Sequence, residues 1–260
     1  MKKNMKTDKK QESARKKNII YDNSIRLNKY IASTGFCSRR EADKYISDGL
    51  IKVNGKIISE LGTKISPNDT VKFGGEVLKR DKLIYVLLNK PKDFVTTTDD
   101  PRERKTVIEL VKNAGKERIY PVGRLDRKTT GVLLLTNDGE LTTRLTHPKY
   151  NRKKIYHIFL DKVLNGNDMD QIAKGVTLDD GLAFADKISY VDEKDKSQIG
   201  MEIHSGKNRI IRRIFEHFGY KVVKLDRVWF AGLTKKNLKK GQWRYLSDKE
   251  VEILKRGYGN

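Results

Sequence analysis

The sequence predicts an α+β protein in which a small module of two helices and short strands precedes a larger, strand-rich domain. Helically spaced apolar residues and an Asn-Gly turn between two short apolar runs predict the small module. Beyond residue 83, strand-like runs alternate irregularly with helical stretches, which favours a mixed or antiparallel sheet over a doubly wound one. We expect five segments: a disordered basic arm (1–23), the small module (24–73), a linker (74–82), the larger domain (83–250) and a tail (251–260).

The composition indicates a polyanionic partner. Charged residues make up 35% of the 260 positions, and the formal net charge is +22. Nucleic acid and anionic membrane surfaces attract such a charge, but no apolar run approaches the roughly 18 residues of a membrane span. No hydrophobic signal core begins the chain, so we expect a nucleic-acid partner, no membrane and a cytoplasmic location. With Cys37 as the single cysteine and no metal-ligand spacing among the four histidines, no bound metal is expected.

The basic arm carries eight Lys/Arg against three acids. Two interpretations of it stay open. It is either a solubility tail or a source of non-specific, salt-dependent attraction to phosphate.

The small module begins with a helix marked by Leu27, Tyr30 and Ile31 and ended by Gly35. Ser38-Arg39-Arg40-Glu41 is a capping box that begins a second helix, which runs to about Ser47. A hairpin over the Asn-Gly turn and a short strand from Thr70 to Phe73 complete the module. Its helical part carries a series of cations: Arg26, Lys29, Arg39, Arg40 and Lys44.

The stretch RLNKYIASTGFCSRREADKYISDGLIKVNG resembles the S4 RNA-binding domain over nearly the whole module. The resemblance implies an RNA-binding role, with Arg39, Arg40 and Lys44 near phosphates. The alternative is that these charges are only the solvated face of a helix.

The central stretch of the larger domain is YPVGRLDRKTTGVLLLTNDGEL, from Tyr120 to Leu141. Asp126 lies between Arg124 and Arg127, and the apolar strand from Val132 to Leu135 follows directly. Two neighbouring guanidinium groups favour the ionised acid, which suits nucleophilic or electrostatic work better than proton donation. An isolated Arg-Leu-Asp triplet is also typical of a structural ion pair before a core strand.

The remaining elements of the larger domain follow from periodicity and turn residues. The patterns predict strands at 83–88, 153–160, 176–178, 186–191, 201–204, 221–230 and 243–246, and helices at 106–111, 140–146, 169–174, 208–218 and after Ser247.

Three segments present side chains suited to catalysis: Asp126 in GRLDR, Tyr156 in KKIYHIFL and Arg212 in GKNRIIRRIFEHFGY. With these motifs the chain resembles the bacterial RNA pseudouridine synthases of the RsuA/RluB/RluF family over about residues 25–250. The resemblance implies an S4-type module joined to a catalytic domain with a mixed, largely antiparallel sheet flanked by helices and loops. It also implies isomerisation of uridine to pseudouridine with no metal and no cofactor.

The resemblance assigns a role to each motif. Asp126 is the essential acid, acting at ribose C1′ or C2′. Arg212 is expected to pair with Asp126, and Ile211 is expected to lie beside the base. Tyr156 is expected to stack on the extruded uracil; a second role, helping to remove the C5 proton, stays open, although an unperturbed phenol is a poor base at neutral pH. Ile210 is a departure, because many relatives carry glutamine there. Further RNA contacts are expected from Arg124, Arg127, Lys207, Asn208, Arg209 and Arg213.

Taken singly, these residues have plainer interpretations. Arg212 could pair with Glu216 one helical turn away, and Tyr156 could be an ordinary sheet-face aromatic. A non-catalytic RNA-binding factor would not need Asp126, and a glycoside hydrolase would need a second carboxylate motif. We therefore expect a monomeric enzyme acting on ribosomal RNA, of the large subunit (23S-type), either free or in an assembling particle.

Overall fold

The structure, a computed structural model, describes residues 24–257. The basic arm predicted at 1–23 lies outside the described residues, as do positions 258–260. The described chain divides into two compact units, one ending at Arg80 and the other beginning at Asp81. Each unit has its own buried apolar cluster.

The first unit contains two helices and six short strands. In chain order they are β1 Ile25–Arg26, α1 Leu27–Ala32, α2 Arg39–Ser47, β2 Ile51–Val53, β3 Lys56–Ile58, β4 Lys64–Ile65, β5 Val71–Phe73 and β6 Glu76–Val77. The strands form a β1–β4 pair and a four-stranded sheet in the order β3-β2-β5-β6. Leu27 and Ile31 of α1 pack with Ala42 and Ile46 of α2 in the core of this unit.

The local signals of the small module produce the predicted geometry. The Glu41 amide donates to the Ser38 hydroxyl at 3.3 Å, and the Ser38 amide donates to the Glu41 carboxylate at 2.7 Å. Asn54 and Gly55 have φ angles of 50° and 82°, as a type I′ hairpin turn requires. The expected linker at 74–82 does not begin at residue 74, because Glu76–Val77 pairs with β5 across a Gly-Gly turn.

The described part of the second unit contains five α-helices, one short 3₁₀ helix (Pro148–Tyr150) and eleven strands. They are β7 Tyr85–Lys90, α3 Val107–Leu110, β8 Tyr120–Pro121, β9 Thr130–Thr136, α4 Gly139–Thr146, β10 Lys154–Leu160, α5 Gly166–Lys174, β11 Val176–Leu178, β12 Gly181–Ala183, β13 Lys187–Tyr190, β14 Gln198–Ile203, α6 Ile210–His217, β15 Val222–Phe230, β16 Leu233–Thr234, β17 Trp243–Tyr245 and α7 Asp248–Arg256. No helix in residues 24–257 is long and apolar enough to cross a membrane.

A nine-stranded sheet organises this unit, and its main path is β13-β14-β10-β15-β9-β7-β17. Strand β16 pairs with the end of β15, and β8 pairs with β9. The β15–β9 pair is parallel, and the other pairs of this sheet are antiparallel. The predicted α+β fold with a mixed, largely antiparallel sheet is therefore confirmed.

The middle of the sheet is buried on both faces, which explains the uninterrupted apolar runs of β7 and β9. Leu133 and Leu135 face the cluster that includes α5 and α6, whereas Val132 and Leu134 face the cluster that includes α4 and α7. A strand covered on both sides needs apolar residues at every position rather than at alternate ones.

Gly131 allows the parallel β9–β15 contact. A Cβ at this position would lie 2.2 Å from the carbonyl oxygen of Arg227 and 2.7 Å from its amide nitrogen. Its φ of 109° is also one that side chains rarely permit. The glycine therefore brings the start of β9, and with it the preceding GRLDR loop, close to β15.

The end of the domain differs from the prediction. Helix α7 runs to Arg256, and Leu254 is buried in the core against the sheet. The expected tail from residue 251 is therefore part of the second unit up to Arg256. The short strands β8, β12 and β16, each with two or three residues, carry too few positions for a periodic signal.

Candidate active site

An open cavity of about 680 Å³ lies in the second unit, and Asp126, Tyr156 and Arg212 all line it. Asp126 comes from the loop before β9, Tyr156 from β10, and Arg212 from α6. The fold therefore brings together three residues from separate parts of the sequence, at the centre of the sheet where β9 meets β15.

The Asp126 loop is held by an ammonium group beneath it. Lys90, the last residue of β7, is fully buried. Its Nζ donates to the carbonyl oxygens of Thr129 (2.8 Å), Asp126 (3.1 Å), Pro91 (3.2 Å) and Arg127 (3.3 Å). Four backbone acceptors surround one cation, so the position of the loop depends on this side chain.

Burial disfavours the charged form of Lys90 and lowers its pKa to about 8. The negative charges of Asp126 and Asp93 act in the opposite direction and raise the pKa. A second tie comes from Thr96, whose hydroxyl donates to the Leu125 carbonyl at 2.7 Å. The amide of Asp93 donates to the carbonyl of Arg127 at 2.9 Å. The backbone of the loop is therefore held by hydrogen bonds from Lys90, Asp93 and Thr96.

The carboxylate of Asp126 is half-buried and is left available at the cavity wall. Within residues 24–257 it accepts no hydrogen bond and forms no direct ion pair. The flanking arginines form no direct ion pair with it. Arg124 and Arg127 are both exposed, and the nearest acid to the Arg127 guanidinium is Asp93, at 3.5 Å.

Arg212 is buried with 7% of its surface exposed. Its Nη1 donates to the Val222 carbonyl at 2.8 Å, which fixes the guanidinium against β15. Its Nε has no acceptor among the described residues. Burial and the nearby Arg209 lower the pKa of Arg212, while Asp126 and Glu216 act in the opposite direction.

The expected direct pair between Arg212 and Asp126 is therefore not formed. The two side chains line the same cavity and interact through their charges, but Arg212 is bonded to backbone instead. The alternative pair with Glu216 is not formed either, because Glu216 is bonded to Arg209 at 3.3 Å.

Tyr156 lies opposite Arg227 on the neighbouring strand and is 8% exposed. Arg227 is almost fully buried, its Nε donates to the Val132 carbonyl at 2.8 Å, and its guanidinium lies 4.6 Å from the centre of the Phe230 ring. Burial lowers the pKa of Arg227, and the interaction with Tyr156 opposes that effect. Nη2 of Arg227 has no acceptor within the described chain.

Two family profiles match this chain. The RNA pseudouridylate synthase family profile matches residues 84–217, more than half of the chain, and the S4 domain profile matches residues 25–71. The chain belongs to the RNA pseudouridine synthase family. It is 40% identical over 233 residues to ribosomal large subunit pseudouridine synthase B of Bacillus subtilis, covering 88% of this chain and 95% of that one.

Two further relatives extend the match. The dual-specificity RNA pseudouridine synthase RluF of Escherichia coli is 35% identical over 236 residues, with 90% of this chain and 79% of that one covered. A solved structure described as a pseudouridylate synthase is 32% identical with a TM-score of 0.63, covering 89% of this chain and all of that one.

The cations expected to bind RNA in this pseudouridine synthase fall into two groups. Those on and near the S4 helices and in the Asp126 loop are largely open to solvent: Arg26, Arg39, Arg40, Lys44, Arg124 and Arg127 are exposed, and Lys29 is half-buried. Three cations of the third motif contact acids instead. Arg209 pairs with Glu216. The Asp180 carboxylate pairs with Arg213 at 2.5 Å, and the Asp180 backbone carbonyl accepts a hydrogen bond from Lys207 at 2.6 Å.

The remaining third-motif residues line the cavity in different ways. Asn208 is exposed at its rim, and Ile211 is 3% exposed, as expected for an apolar neighbour of a base. Ile210 is also buried and packs in the same apolar cluster. An apolar side chain fits this position without leaving a polar group unsatisfied.

Sequence reasoning did not single out Lys90, Lys154 or Arg227. Lys154 lies two positions before Tyr156 in the predicted strand at 153–160, and side chains two positions apart in a strand share one face. The sequence therefore contained the signal that places Lys154 beside Tyr156. For Lys90, the clue is a cation inside a strand that is buried at all six positions. The position of Arg227 depends on the β10–β15 register, which is set by tertiary pairing.

Proposed function

We propose that this pseudouridine synthase isomerises a specific uridine in ribosomal RNA, and that the RNA belongs to the large subunit. The observation that carries the proposal is the convergence of Asp126, Tyr156 and Arg212 on one cavity. The names of the two curated relatives support the choice of RNA, since one is a large-subunit enzyme and the other is dual-specificity.

The reaction breaks the bond between ribose C1′ and uracil N1, turns the base, and joins C1′ to C5. The uridine must first leave the RNA stack, which costs a few kcal/mol. The free carboxylate of Asp126 is suited to act at the sugar, either by trapping the electron-poor C1′ or by removing a proton from C2′. In both routes the carboxylate must be ionised and must not be bonded to another group of the protein. Within the described residues it has no such partner.

The guanidinium groups are suited to bind the extruded nucleotide. Arg212 and Arg227 are each held by a backbone carbonyl, and each retains an N–H donor with no acceptor in the described part of the chain. Both residues line the cavity, so their fixed positive charges favour a substrate oxygen bound there. The ring of Tyr156, on the same wall, is suited to stack on the uracil while it turns.

The S4 module is expected to supply RNA affinity through its exposed cations, with the arm at 1–23 adding non-specific attraction. Ribosomal RNA as the substrate would place the enzyme in the cytoplasm, where we expect it to act as a monomer on free RNA or on an assembling particle.

The decisive experiment is to map pseudouridines in ribosomal RNA from cells with and without this protein. We expect a single position, or a small set of positions, in large-subunit RNA to lose its modification. Restoring the protein should restore the modification. Unchanged pseudouridines in all ribosomal RNAs would overturn the proposal, and a loss confined to transfer RNA would redirect it.

Replacing Arg39 and Arg40 together by glutamate is expected to weaken RNA binding and flatten its salt dependence. Each lost phosphate contact should reduce the slope of log K against log salt by about 1. Fluorescence anisotropy over a salt series measures both. The control replaces Lys52 and Lys56 by glutamate, which makes the same charge change on the exposed hairpin of the same module. Equal slope changes in both variants would show that net charge, not the N-terminal part of α2, attracts RNA.

A further inference from the structure

Three aromatic side chains of the S4 module form one cluster. Phe36 lies in the loop between α1 and α2, Tyr45 lies on α2, and Phe73 lies on β5. The ring centre of Phe36 is 4.6 Å from that of Phe73 and 5.7 Å from that of Tyr45. The Tyr45 and Phe73 ring centres are 5.2 Å apart. Each ring therefore lies within the distance at which aromatic rings attract one another from both of the others.

This aromatic cluster is anchored in the module on one side and open to solvent on the other. Tyr45 and Phe73 are half-buried and pack against the apolar core of the module. Phe36, in contrast, has 41% of its surface exposed. The backbone that follows Phe36 is fixed, because Cys37 is buried and the Ser38 side chain caps α2. An exposed ring that is already held in place loses little conformational freedom when a ligand binds to it.

The charges of this module favour a polyanion beside the exposed ring. Residues 24–80 contain eleven Lys/Arg and six acids. Arg39 and Arg40 begin α2 directly after the loop that carries Phe36, are exposed, and pair with no acid among the described residues. The acid that follows them, Glu41, accepts a hydrogen bond from a backbone amide of its own capping box at 2.7 Å. Phosphate groups near Phe36 would therefore meet cations that have no acidic partner in the described chain.

Two classes of partner use exposed aromatic rings, namely apolar protein segments and unpaired nucleotides. The excess of cations in the module favours the nucleotide, since it presents a planar base and a phosphate side by side. Stacking on an aromatic ring accepts every base, because every base has a π face. The base must be unpaired, however, since the bases of a duplex are stacked on one another and cannot cover the ring.

We propose that Phe36, supported by Tyr45 and Phe73, is a stacking platform for an unpaired base of the RNA that the S4 module binds; this inference rests on the proposed function in taking RNA as the partner. The cations at the start of α2 contact the phosphates beside that base. Glu76, which lies opposite Phe73 in the β5–β6 register, repels phosphate and keeps the RNA backbone on the α2 side. The cations supply affinity for any RNA, and the ring directs the module to unpaired segments.

The test compares the binding of two fluorescent oligomers of equal length and equal phosphate number to the full-length protein. One is an oligoadenylate, and the other is the corresponding abasic ribose-phosphate oligomer. Phe36→Leu keeps an apolar side chain against Tyr45 and Phe73 but removes the ring face. We expect this variant to bind oligoadenylate about 10-fold more weakly, as the loss of one base stack predicts, and the abasic oligomer within about 2-fold of the unchanged protein.

Salt dependence and a conservative variant separate stacking from charge and from general damage. Phe36→Leu removes no cation, so the slope of log K against log salt should stay the same. Phe36→Tyr keeps a ring of the same size and should retain the affinity for oligoadenylate. The control is Ile57→Ala, which removes apolar surface from the most exposed large apolar side chain of the same module, 62% exposed. Thermal unfolding of each variant shows that the module is folded.

Photochemical cross-linking locates the base without any change to the protein. An oligoadenylate that contains 8-azidoadenosine is irradiated with the unchanged, full-length protein, and the labelled peptides are identified by mass spectrometry. We expect label on the peptide that contains Phe36. Because no residue is replaced, this measurement does not depend on how the variants fold.

A loss confined to oligoadenylate in Phe36→Leu, full affinity in Phe36→Tyr and label at Phe36 would establish the platform. Equal affinity of the unchanged protein for the two oligomers would overturn it and would leave an apolar protein segment as the occupant. An equal loss for both oligomers in a folded Phe36→Leu variant, or label only on other peptides, would also overturn it. Neither oligomer contains uridine, so a platform that binds adenylate while every ribosomal pseudouridine is unchanged in cells without the protein would overturn the proposed function alone.

Discussion

Replacing Asp126 by asparagine is expected to abolish pseudouridine formation while leaving RNA affinity within a few-fold of the unchanged enzyme. Asparagine has the same shape but cannot act as a nucleophile or a base at the sugar carbon. Because the Asp126 carboxylate has no hydrogen-bond or ion-pair partner in the described chain, its loss should change the free energy of unfolding by no more than about 0.5 kcal/mol. Release of tritium from 5-tritiated uridine in ribosomal RNA, filter binding and thermal unfolding measure the three effects separately.

A matched control for Asp126→Asn is Asp93→Asn. Asp93 is an exposed acid near the same loop, 3.5 Å from the Arg127 guanidinium, so the control makes the same change of charge nearby. We expect it to retain activity. Full activity in Asp126→Asn would contradict the role of the carboxylate, and a large loss of RNA affinity would show that it binds the substrate rather than transforms it.

The parts of the fold that the sequence predicts are those determined by neighbouring residues. The capping box at Ser38 and Glu41 and the Asn54-Gly55 turn both form as predicted, since their hydrogen bonds and φ angles depend on a few adjacent positions. The apolar runs of β7 and β9 also predict strands buried on both faces. Strand pairing is not determined by neighbouring residues, because the parallel β9–β15 pair joins Thr130 to Asp226, which are far apart in the sequence.

The candidate site divides in the same way. Its three motif residues are recognisable in the sequence, and they line one cavity. Their partners are not recognisable, because Arg212 bonds to the backbone of Val222 and Tyr156 lies against Arg227. A backbone carbonyl is present at every residue, so no side-chain pattern marks the one that a buried guanidinium will use.

Replacing Lys90 by methionine is expected to cause the largest loss of stability among the variants considered, about 3 kcal/mol, together with a large loss of activity. Methionine has a similar volume but no donor, so four carbonyls around the Asp126 loop would lose this donor, while those of Asp126 and Arg127 keep a second donor from the backbone. Denaturant unfolding measures the first effect. Lys92→Met, at an exposed lysine two positions along, is the control.

Hydrogen exchange separates loss of the loop from general destabilisation. The Thr129 amide donates to the Asp126 carbonyl at 2.9 Å, so its exchange reports local opening of this loop. In Lys90→Met we expect faster exchange at Thr129 than the change in global stability explains. Unchanged protection at Thr129 with full activity would show that the lysine does not position the loop.

The pH dependence of the Lys90→Met effect has a definite sign. The pKa of Lys90 is about 8 in the folded protein, below the value of about 10.4 for an unfolded lysine. The folded state therefore binds fewer protons than the unfolded state between these two values, so burial of this lysine becomes less costly as the pH rises through that window. The difference in unfolding free energy between the unchanged enzyme and Lys90→Met should widen from pH 7.5 to pH 9.5. A difference that narrows over that range would mean that the ammonium is stabilised by its four carbonyls more than burial penalises it.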